Sequence, residues 1–260
     1  MIELQYIRSF FPPAVAEEKR FDRYMLKEYF QLMILSYIST TPYMKHLSFI
    51  DGTNLRLIHQ IDRFSEDLDF DCIEMTEADF IEMTDSIVQY LRRNNIYVET
   101  RDKVNLKLTA FRRNLYFPQL LFNLGMTGHR EERFLIKVES QDQGITYVPE
   151  ISTINRMGFF FQLQVPSISV LCSMKLTALL QRSKGRDFYD TLFILSKTSP
   201  DYEFLKKKEN ISSIDELKTR IAEKLQTIDL RQKQRDFEHL LFNITNSQRI
   251  LQFGDYIKHL

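Results

Sequence analysis

The apolar positions of the first sixty residues predict a long helix, a strand and a second helix. Between residues 15 and 38, apolar side chains recur every three or four positions, which is the spacing of one helical face. We expect one helix there, continuous or broken once, that ends at Thr40-Thr41-Pro42. The apolar run at residues 47–50 predicts a strand that delivers Asp51-Gly52-Thr53 at its carboxyl end. Residues 54–60 then have helical spacing.

The pattern of residues 68–139 predicts a sheet with one interposed helix. Leu68 and Phe70 alternate with acidic residues, as in a strand with one buried face. Thr76 and Asp79 have the spacing of a capping box, so we expect a helix from there to residues 92–95. A turn is predicted at residues 112–114. Further apolar runs predict strands at residues 96–98, 104–110 and 134–139.

The pattern becomes helical after Pro166. Residues 143–157 are polar and predict a loop, and residues 159–165 predict a last strand. Helices are predicted at residues 170–182, 188–196, 213–228 and 237–244. The fold class is therefore α+β, with a mixed sheet and flanking helices in residues 1–165. A helical bundle follows in residues 166–260.

Composition excludes several classes of protein. The 260 residues carry 35 basic and 35 acidic side chains, so a generally basic coat for nucleic acid is excluded. The two cysteines, Cys72 and Cys172, lack metal-ligand spacing and predict free thiols in a reducing cytoplasm. The N-terminus lacks the pattern of a signal peptide, and no apolar run reaches the length of a membrane span. We therefore expect a cytoplasmic protein without a membrane partner.

Charge is unevenly distributed along the first half. Residues 62–85 contain ten acidic side chains and one basic side chain, Arg63, whereas residues 92–137 contain ten basic and four acidic ones. The basic stretch is consistent with a local RNA contact. Two ordinary solvated faces explain the same counts equally well.

The acidic strand has the chemistry of a metal site. A strand over residues 68–70 would put Asp67, Asp69 and Asp71 on one face, where close carboxylates favour a cation such as Mg²⁺. Gly52 lets the backbone approach a phosphate, and the Thr53 hydroxyl with the following N–H groups would hold it. Together these features indicate a nucleoside triphosphate site. The competing interpretation is a solvated acidic run and an ordinary turn.

The spacing of these motifs resembles a known family. Gly52-Thr53, thirteen intervening residues and Asp67-Leu68-Asp69, within GTNLRL…RFSEDLDFD, are similar to the AbiEii/AbiGii toxin nucleotidyltransferases. This family includes the MenT toxins and falls in the DNA polymerase beta-type nucleotidyltransferase superfamily. Asp51 stands where the family usually has a first glycine. This departure adds a negative charge beside the expected phosphate site.

Two later segments extend the resemblance. Glu139 shares a strand face with Lys137, which by itself also suits a plain sheet surface; the resemblance implies that Glu139 is the third acidic metal ligand beside Asp67 and Asp69. The phrase KLTALLQRSKGRDFYD is similar to the last two family motifs. Its candidate residues are Lys175, Arg182, Lys184, Asp187 and Asp190.

The resemblance implies roles for this second set. Lys175, Arg182 and Lys184 would serve the triphosphate, and the helical domain would contribute to the active-site cleft. Asp190 would align Lys175 or act as a base. Asp187 would stabilise the motif, although a helix cap or an ion pair with a neighbouring arginine explains it as well.

The implied function is transfer of a nucleotide from a nucleoside triphosphate. The cofactor would be Mg²⁺ or Mn²⁺, the acceptor the 3′ end of tRNA, and the partner a cognate antitoxin protein. Two alternatives stay open at this point. One is transfer to a protein or a small molecule, and the other is a nucleotide-binding interaction module without turnover.

Overall fold

The structure, a computed structural model, describes residues 3–101 and 110–260. In this part of the chain, two compact units form. The first contains Met1–Thr53, Phe64–Gly144 and Ile151–Val165, and the second contains Asn54–Arg63, Ile145–Glu150 and Pro166–Leu260. The second unit therefore takes a short segment from the N-terminal half in addition to the C-terminal residues.

Within the described residues, a five-stranded mixed sheet lies at the centre of the first unit, in the order β1-β2-β5-β4-β3. Its strands are β1 (Leu47–Ile50), β2 (Leu68–Cys72), β3 (Glu99–Thr100), β4 (Phe111–Tyr116) and β5 (Leu135–Gln141). β2 is antiparallel to β1 and parallel to β5, and β4 is antiparallel to β5 and β3. The two strands predicted to carry acidic ligands are thus direct neighbours.

Period-two alternation explains which face of the sheet is buried. In β5, Ile136 and Val138 are fully buried, whereas Lys137 and Glu139 are partly exposed on the other face. The buried Phe70 of β2 packs against Phe49 of β1, with ring centroids 5.7 Å apart. The apolar face therefore anchors the strands and leaves the polar face for chemistry.

The helices of the first unit include one that is buried on almost every side. They are α1 (Leu4–Arg8), α2 (Pro13–Ala16), α3 (Asp22–Ile38), the start of α4 (Asp51–Leu57), α5 (Glu77–Arg93) and α6 (Leu120–Asn123). The helix predicted at residues 15–38 is broken by a 3₁₀ turn, Lys19–Phe21. α3 buries polar side chains as well as apolar ones, and Lys27, Glu28 and Gln31 are all buried.

The capping box predicted for α5 is confirmed. The Asp79 backbone N–H donates to the Thr76 hydroxyl, and the Thr76 backbone N–H donates to the Asp79 carboxylate. The buried stripe of the helix contains Phe80, Met83 and Ile87. Local polar bonds and an apolar stripe therefore agree on this helix, which is why the sequence predicted it.

Two predictions in the middle of the first unit were wrong. Residues 96–98 are not a strand; β3 begins one residue later and is two residues long. Residues 112–114 belong to β4 and do not form a turn, because their backbone pairs with β5 and their arginines find partners on neighbouring elements. The strand predicted at residues 104–110 lies, except for Ala110, outside the described residues.

A hairpin replaces much of the loop predicted at residues 143–157. β6 (Glu150–Arg156) and β7 (Phe159–Val165) pair, and β7 has the predicted bounds. The two connecting residues, Met157 and Gly158, have φ values of 50° and 80°, as a tight hairpin turn requires. The polar sequence of β6 hid this strand, since pairing with β7 defines it more than its own apolar content.

The second unit is helical, as predicted. Its C-terminal part contains α7 (Ile168–Arg182), α8 (Gly185–Leu195), α9 (Tyr202–Glu209), α10 (Ile214–Leu225), α11 (Leu230–Arg235) and α12 (Phe253–Lys258). α7 packs against α8 and α9, α11 against α8, and α10 against α12. The α+β fold class, a mixed sheet followed by a helical bundle, is therefore confirmed.

One helix predicted in the second unit is absent. Residues 237–244 form a short 3₁₀ turn, Glu238–Leu240, followed by an isolated bridge between Leu241 and Arg63. The bridge and the Phe242 N–H bond to the Asp62 carbonyl at 3.2 Å take this backbone out of helical geometry. Among the described residues, no helix combines the length and the apolar character needed to cross a membrane.

Candidate active site

The connection from β1 to α4 has an unusual backbone. Asp51 has a φ of 61°, in the left-handed region where glycine is unstrained and aspartate is tolerated better than most residues. Gly52 and Thr53 follow in the first turn of α4, and both are buried. The usual first glycine of the family motif therefore has a physical reason at this position, and Asp51 is one of the few substitutes that fit.

Thr53 links α4 to the acidic strand. Its hydroxyl donates to the backbone carbonyl of Asp67, and the side chain is fully buried. Gln31 of α3 donates to the Ser65 carbonyl at 3.2 Å, and Lys27 pairs with Glu66 at 3.1 Å. The Thr53 hydroxyl uses its one O–H donor in the bond to Asp67 and thereby fixes the segment before β2.

Of the predicted acidic ligands, Asp69 lies on β2, Glu139 lies on β5, and Asp67 lies immediately before β2. Asp69 and Glu139 are paired residues of these parallel strands, and Asp67 precedes Asp69 by one side-chain period. Asp71 departs from the prediction of three carboxylates in one cleft. It is buried and accepts the Gln143 N–H at 2.9 Å, so it holds the chain after β5 in place.

A lysine lies between two of these carboxylates. The Lys137 Nζ is 2.9 Å from the Asp67 Oδ2 and 3.1 Å from the Glu139 Oε2, and the Arg112 Nε donates to the Glu139 Oε1. Burial alone would raise the pKa of Glu139, but Lys137 and Arg112 outweigh it and hold the pKa below its ordinary value. Burial likewise lowers the pKa of Lys137, and the two carboxylates raise it by more.

The donor set suits a hard divalent cation, although it is not arranged as a finished metal site. In the part of the chain that the structure describes, no group of three His, Cys, Asp or Glu side chains is placed to hold an ion. The ammonium of Lys137 fills the space between Asp67 and Glu139. Carboxylate oxygens from Asp67, Asp69 and Glu139 are the ligands that Mg²⁺ or Mn²⁺ prefers, so the residues fit the group chemically.

The remaining predicted residues lie in the second unit, in two ion-pair clusters. In the first, Lys175 of α7 and Asp190 of α8 are both buried, with Nζ 2.8 Å from Oδ2. Arg63 donates to the same carboxylate through Nε and Nη2, at 2.6 Å each. Burial would raise the pKa of Asp190, but the two cations outweigh burial and hold the pKa well below its ordinary value.

This first cluster corrects one expectation about Lys175. The resemblance implied that Lys175, together with Arg182 and Lys184, would serve the triphosphate. Lys175 is instead enclosed and paired with Asp190, and its pKa is lowered by burial. Asp190 aligns Lys175, the first of its two predicted roles. Both Asp190 oxygens accept hydrogen bonds from Arg63 and one also contacts Lys175, so neither is placed to take a proton from a substrate.

The second cluster joins Arg182, Lys184 and Asp187. Arg182 donates to both Asp187 oxygens, at 3.1 and 2.9 Å, and the Lys184 N–H donates to Asp187 at 2.9 Å. Asp187 therefore caps α8 and pairs with an arginine, as the simpler interpretation predicted. The Arg182 side chain keeps 38% of its surface exposed, compared with 3% for Lys175, and Lys184 is exposed as well.

Comparison with known proteins identifies the family. The sequence model described as nucleotidyl transferase AbiEii toxin, type IV toxin–antitoxin system, matches residues 34–243. The chain belongs to the AbiEii family. The AbiEii match includes every predicted site residue in both units. Comparison with curated proteins gives no match.

A solved structure supports the fold of this chain. The nucleotidyltransferase toxin MenT4 of Mycobacterium tuberculosis is 16% identical, with a TM-score of 0.64 over 100% of this chain and 91% of that one. JHP933 of Helicobacter pylori is 18% identical (TM-score 0.49; 91% and 95% covered). A putative nucleotidyltransferase of H. pylori is 19% identical (TM-score 0.48; 89% and 95% covered).

Family membership makes this AbiEii protein a nucleotidyltransferase and a toxin of a toxin–antitoxin family.

The sequence analysis assigned no role in the site to Arg63, Lys137 or Arg112. Arg63 had a visible signal, since it is the single basic residue of the acidic stretch at residues 62–85. Lys137 shared a predicted strand face with Glu139, but its contact with Asp67 and the contact of Arg112 with Glu139 had no sequence signal beyond charge, because strand register sets them.

Proposed function

We propose that the protein transfers a nucleoside monophosphate from a nucleoside triphosphate to the 3′ end of tRNA, in a reaction that requires a divalent cation. The observation that carries the proposal is the pairing of Asp69 with Glu139 on parallel strands, with Asp67 one period before. Carboxylates collected on one face of neighbouring strands, in a chain of the AbiEii family, are the groups that phosphoryl-type transfer uses.

Asp67, Asp69 and Glu139 are assigned to hold Mg²⁺ or Mn²⁺. When bound, the ion supplies neutralisation of the phosphate oxygens and a lower pKa for the attacking hydroxyl. The chain's own part is to place the carboxylates. β2 and β5 fix their spacing, and Thr53 and Gln31 hold the backbone that enters β2.

The phosphate-binding groups follow from the family motifs. The backbone of Gly52 and Thr53 is assigned to the triphosphate, because a glycine has no Cβ to hinder the close approach of a phosphate. Arg182 and Lys184 are the assigned cations of the helical domain, whereas Lys175 is enclosed with Asp190. Asp190 and Asp187 act as positioning residues for Lys175 and Arg182, since each carboxylate accepts from its partner.

The proposed contact with tRNA rests on part of the arginines in the basic stretch at residues 92–137, because the others are engaged within the first unit. Arg92 donates to the Val98 carbonyl, and Arg112 and Arg113 pair with acidic residues of the first unit. Exposed arginines of the basic stretch are better placed for RNA phosphates; they are Arg93, Arg130 and Arg133. The proposed macromolecular partner besides tRNA is a cognate antitoxin, as in other toxin–antitoxin systems.

The test is transfer of label to RNA. Purified protein is incubated with total tRNA, Mg²⁺ and each labelled nucleoside triphosphate in turn, alongside an Asp67→Asn, Asp69→Asn double variant. Glu77→Gln is the matched control, because Glu77 is an exposed acid of the same stretch outside the strand face. Label on RNA with the unchanged protein and with Glu77→Gln, and its absence with the double variant, is the expected result.

Other outcomes assign the reaction differently. Label on protein or on an added small molecule, with none on RNA, would retain nucleotidyl transfer and reject tRNA as the acceptor. Nucleotide binding without any label would favour an interaction module. Unchanged labelling by the double variant, with both proteins folded by circular dichroism, would reject Asp67 and Asp69 as metal ligands.

A further inference from the structure

In the contacts that the described residues show, Lys137 is the one cation of the acidic site that contacts two carboxylates. Its Nζ lies 2.9 Å from Asp67, the residue before β2, and 3.1 Å from Glu139 of β5. The side chain is 24% exposed, so it is not sealed from solvent. None of the family motifs matched in the sequence assigns this lysine a role.

We propose that Lys137 is a resident counter-ion for Asp67 and Glu139 that gives up its position when a divalent cation binds. This inference rests on the proposed function, because it takes the two carboxylates to be metal ligands. In the metal-free protein the ammonium separates two negative charges that would otherwise repel each other. Metal binding then exchanges one cation for another.

Strand register explains why a lysine suits this exchange. Lys137 and Glu139 share a face of β5, and Asp69 of β2 is paired with Glu139, so the ammonium reaches across to Asp67 from the neighbouring strand. Lysine carries a compact charge on a flexible stem, which lets it leave without disturbing the backbone. A planar guanidinium that made two fixed bonds would leave less readily.

Arg112 and Lys137 contact different oxygens of Glu139. Arg112 donates to the Oε1, whereas Lys137 contacts the Oε2, so departure of Lys137 frees one oxygen while Arg112 still orients the carboxylate. The oxygens released by Lys137 are the Asp67 Oδ2 and the Glu139 Oε2. These are the atoms that a divalent cation would occupy.

The experiment measures Mn²⁺ affinity without nucleotide or turnover. Lys137→Met removes the charge and keeps the length of the stem, and Lys137→Gln is a second neutral variant in case the first folds poorly. Mn²⁺ binding is followed by electron paramagnetic resonance, and the metal-free melting temperature is recorded for each full-length protein. Lys258→Met, which removes an exposed lysine paired with Asp255, controls for the change in net charge.

We expect the neutral variants to bind Mn²⁺ about three- to tenfold more tightly, since the ion no longer displaces an ammonium. Their metal-free melting temperature should fall and be restored by saturating Mn²⁺. Lys137→Arg should bind Mn²⁺ no more tightly than the unchanged protein. Lys258→Met should leave the Mn²⁺ affinity unchanged.

The failures are distinguishable. Equal Mn²⁺ affinity in the unchanged protein and in a folded neutral variant would overturn the counter-ion role and leave the proposed metal site intact. No Mn²⁺ binding by either protein would overturn the metal site together with this inference. Binding only by the neutral variants would overturn the exchange, because it would show that the ammonium stays in place when the ion is present.

Discussion

Arg63 holds Asp190 through two parallel hydrogen bonds of 2.6 Å, although 127 positions separate the two residues along the chain. Both side chains are almost completely buried, and Lys175 adds a third contact to the same carboxylate. A buried carboxylate with two cations is strongly dependent on all of its partners, because any charge left alone loses its hydration without compensation. This ion triad fastens the segment before β2 to α7 and α8 inside the second unit.

We predict that Asp190→Asn will destabilise the protein severely. The substitution leaves Arg63 and Lys175 as buried cations without their anion, and breaking a buried pair in this way costs about 3–5 kcal/mol. Equilibrium unfolding in urea measures the change in the free energy of unfolding. A loss below about 1 kcal/mol would show that the triad contributes little.

An exposed ion pair provides the control. Asp255 pairs with Lys258 at 3.2 Å, and both side chains are about three-quarters exposed, at 77% and 74%. Asp255→Asn removes the same chemical group as Asp190→Asn. Its effect on the urea midpoint should be negligible, since solvent screens the pair.

The triad also predicts a particular acid dependence. The pKa of Asp190 is lower in the folded protein than in the unfolded chain, so its stabilising contribution is complete above the unfolded value of about 3.9 and is lost as the pH falls below it. The stability difference between unchanged protein and Asp190→Asn should therefore be constant from pH 7 to 5 and shrink towards pH 3. Urea titrations at each pH measure it; a difference that shrinks between pH 7 and 5 would contradict the assignment.

Gly185 should not tolerate a side chain. A Cβ at this position would lie 1.9 Å from the Lys233 carbonyl oxygen and 2.9 Å from a ring carbon of Phe237. Because the nearest atom is backbone, α8 and α11 would have to separate, and we expect Gly185→Ala to lose about 2 kcal/mol or more. Thermal unfolding is compared with Gly128→Ala, where a Cβ meets nothing within 4 Å. Equal melting temperatures would contradict the close approach.

Asp51 should weaken nucleotide binding through its charge. Asparagine has the same shape and also tolerates a positive φ, so Asp51→Asn removes the charge while keeping the turn. We expect the KM for the nucleoside triphosphate to fall roughly two- to fivefold, as for an exposed charge interaction. Asp51→Gly should lower the KM by the same factor as Asp51→Asn. An unchanged or higher KM in both variants would place the phosphates away from this turn.

Sequence patterns predicted those elements whose signals are local. β1 and β7 have the predicted bounds, and Thr76 caps α5 as expected, because each depends on residues within a few positions. β6 was missed since a polar strand becomes visible only through its partner. The helix expected at residues 237–244 was replaced by a bridge to Arg63 for the same reason.

The sequence by itself determined the fold class, the family and the identity of the acidic and basic motif residues. These follow from periodicity and from motif spacing along one chain. Only the tertiary structure decided which charges meet: Lys137 with Asp67, Arg63 with Asp190, and Arg182 with Asp187. The first two pairs join residues 70 and 127 positions apart, and electrostatic energy depends on distance in space, which strand register and helix packing set. The sequence therefore identifies the charged residues of a site, and the fold determines which of them form ion pairs.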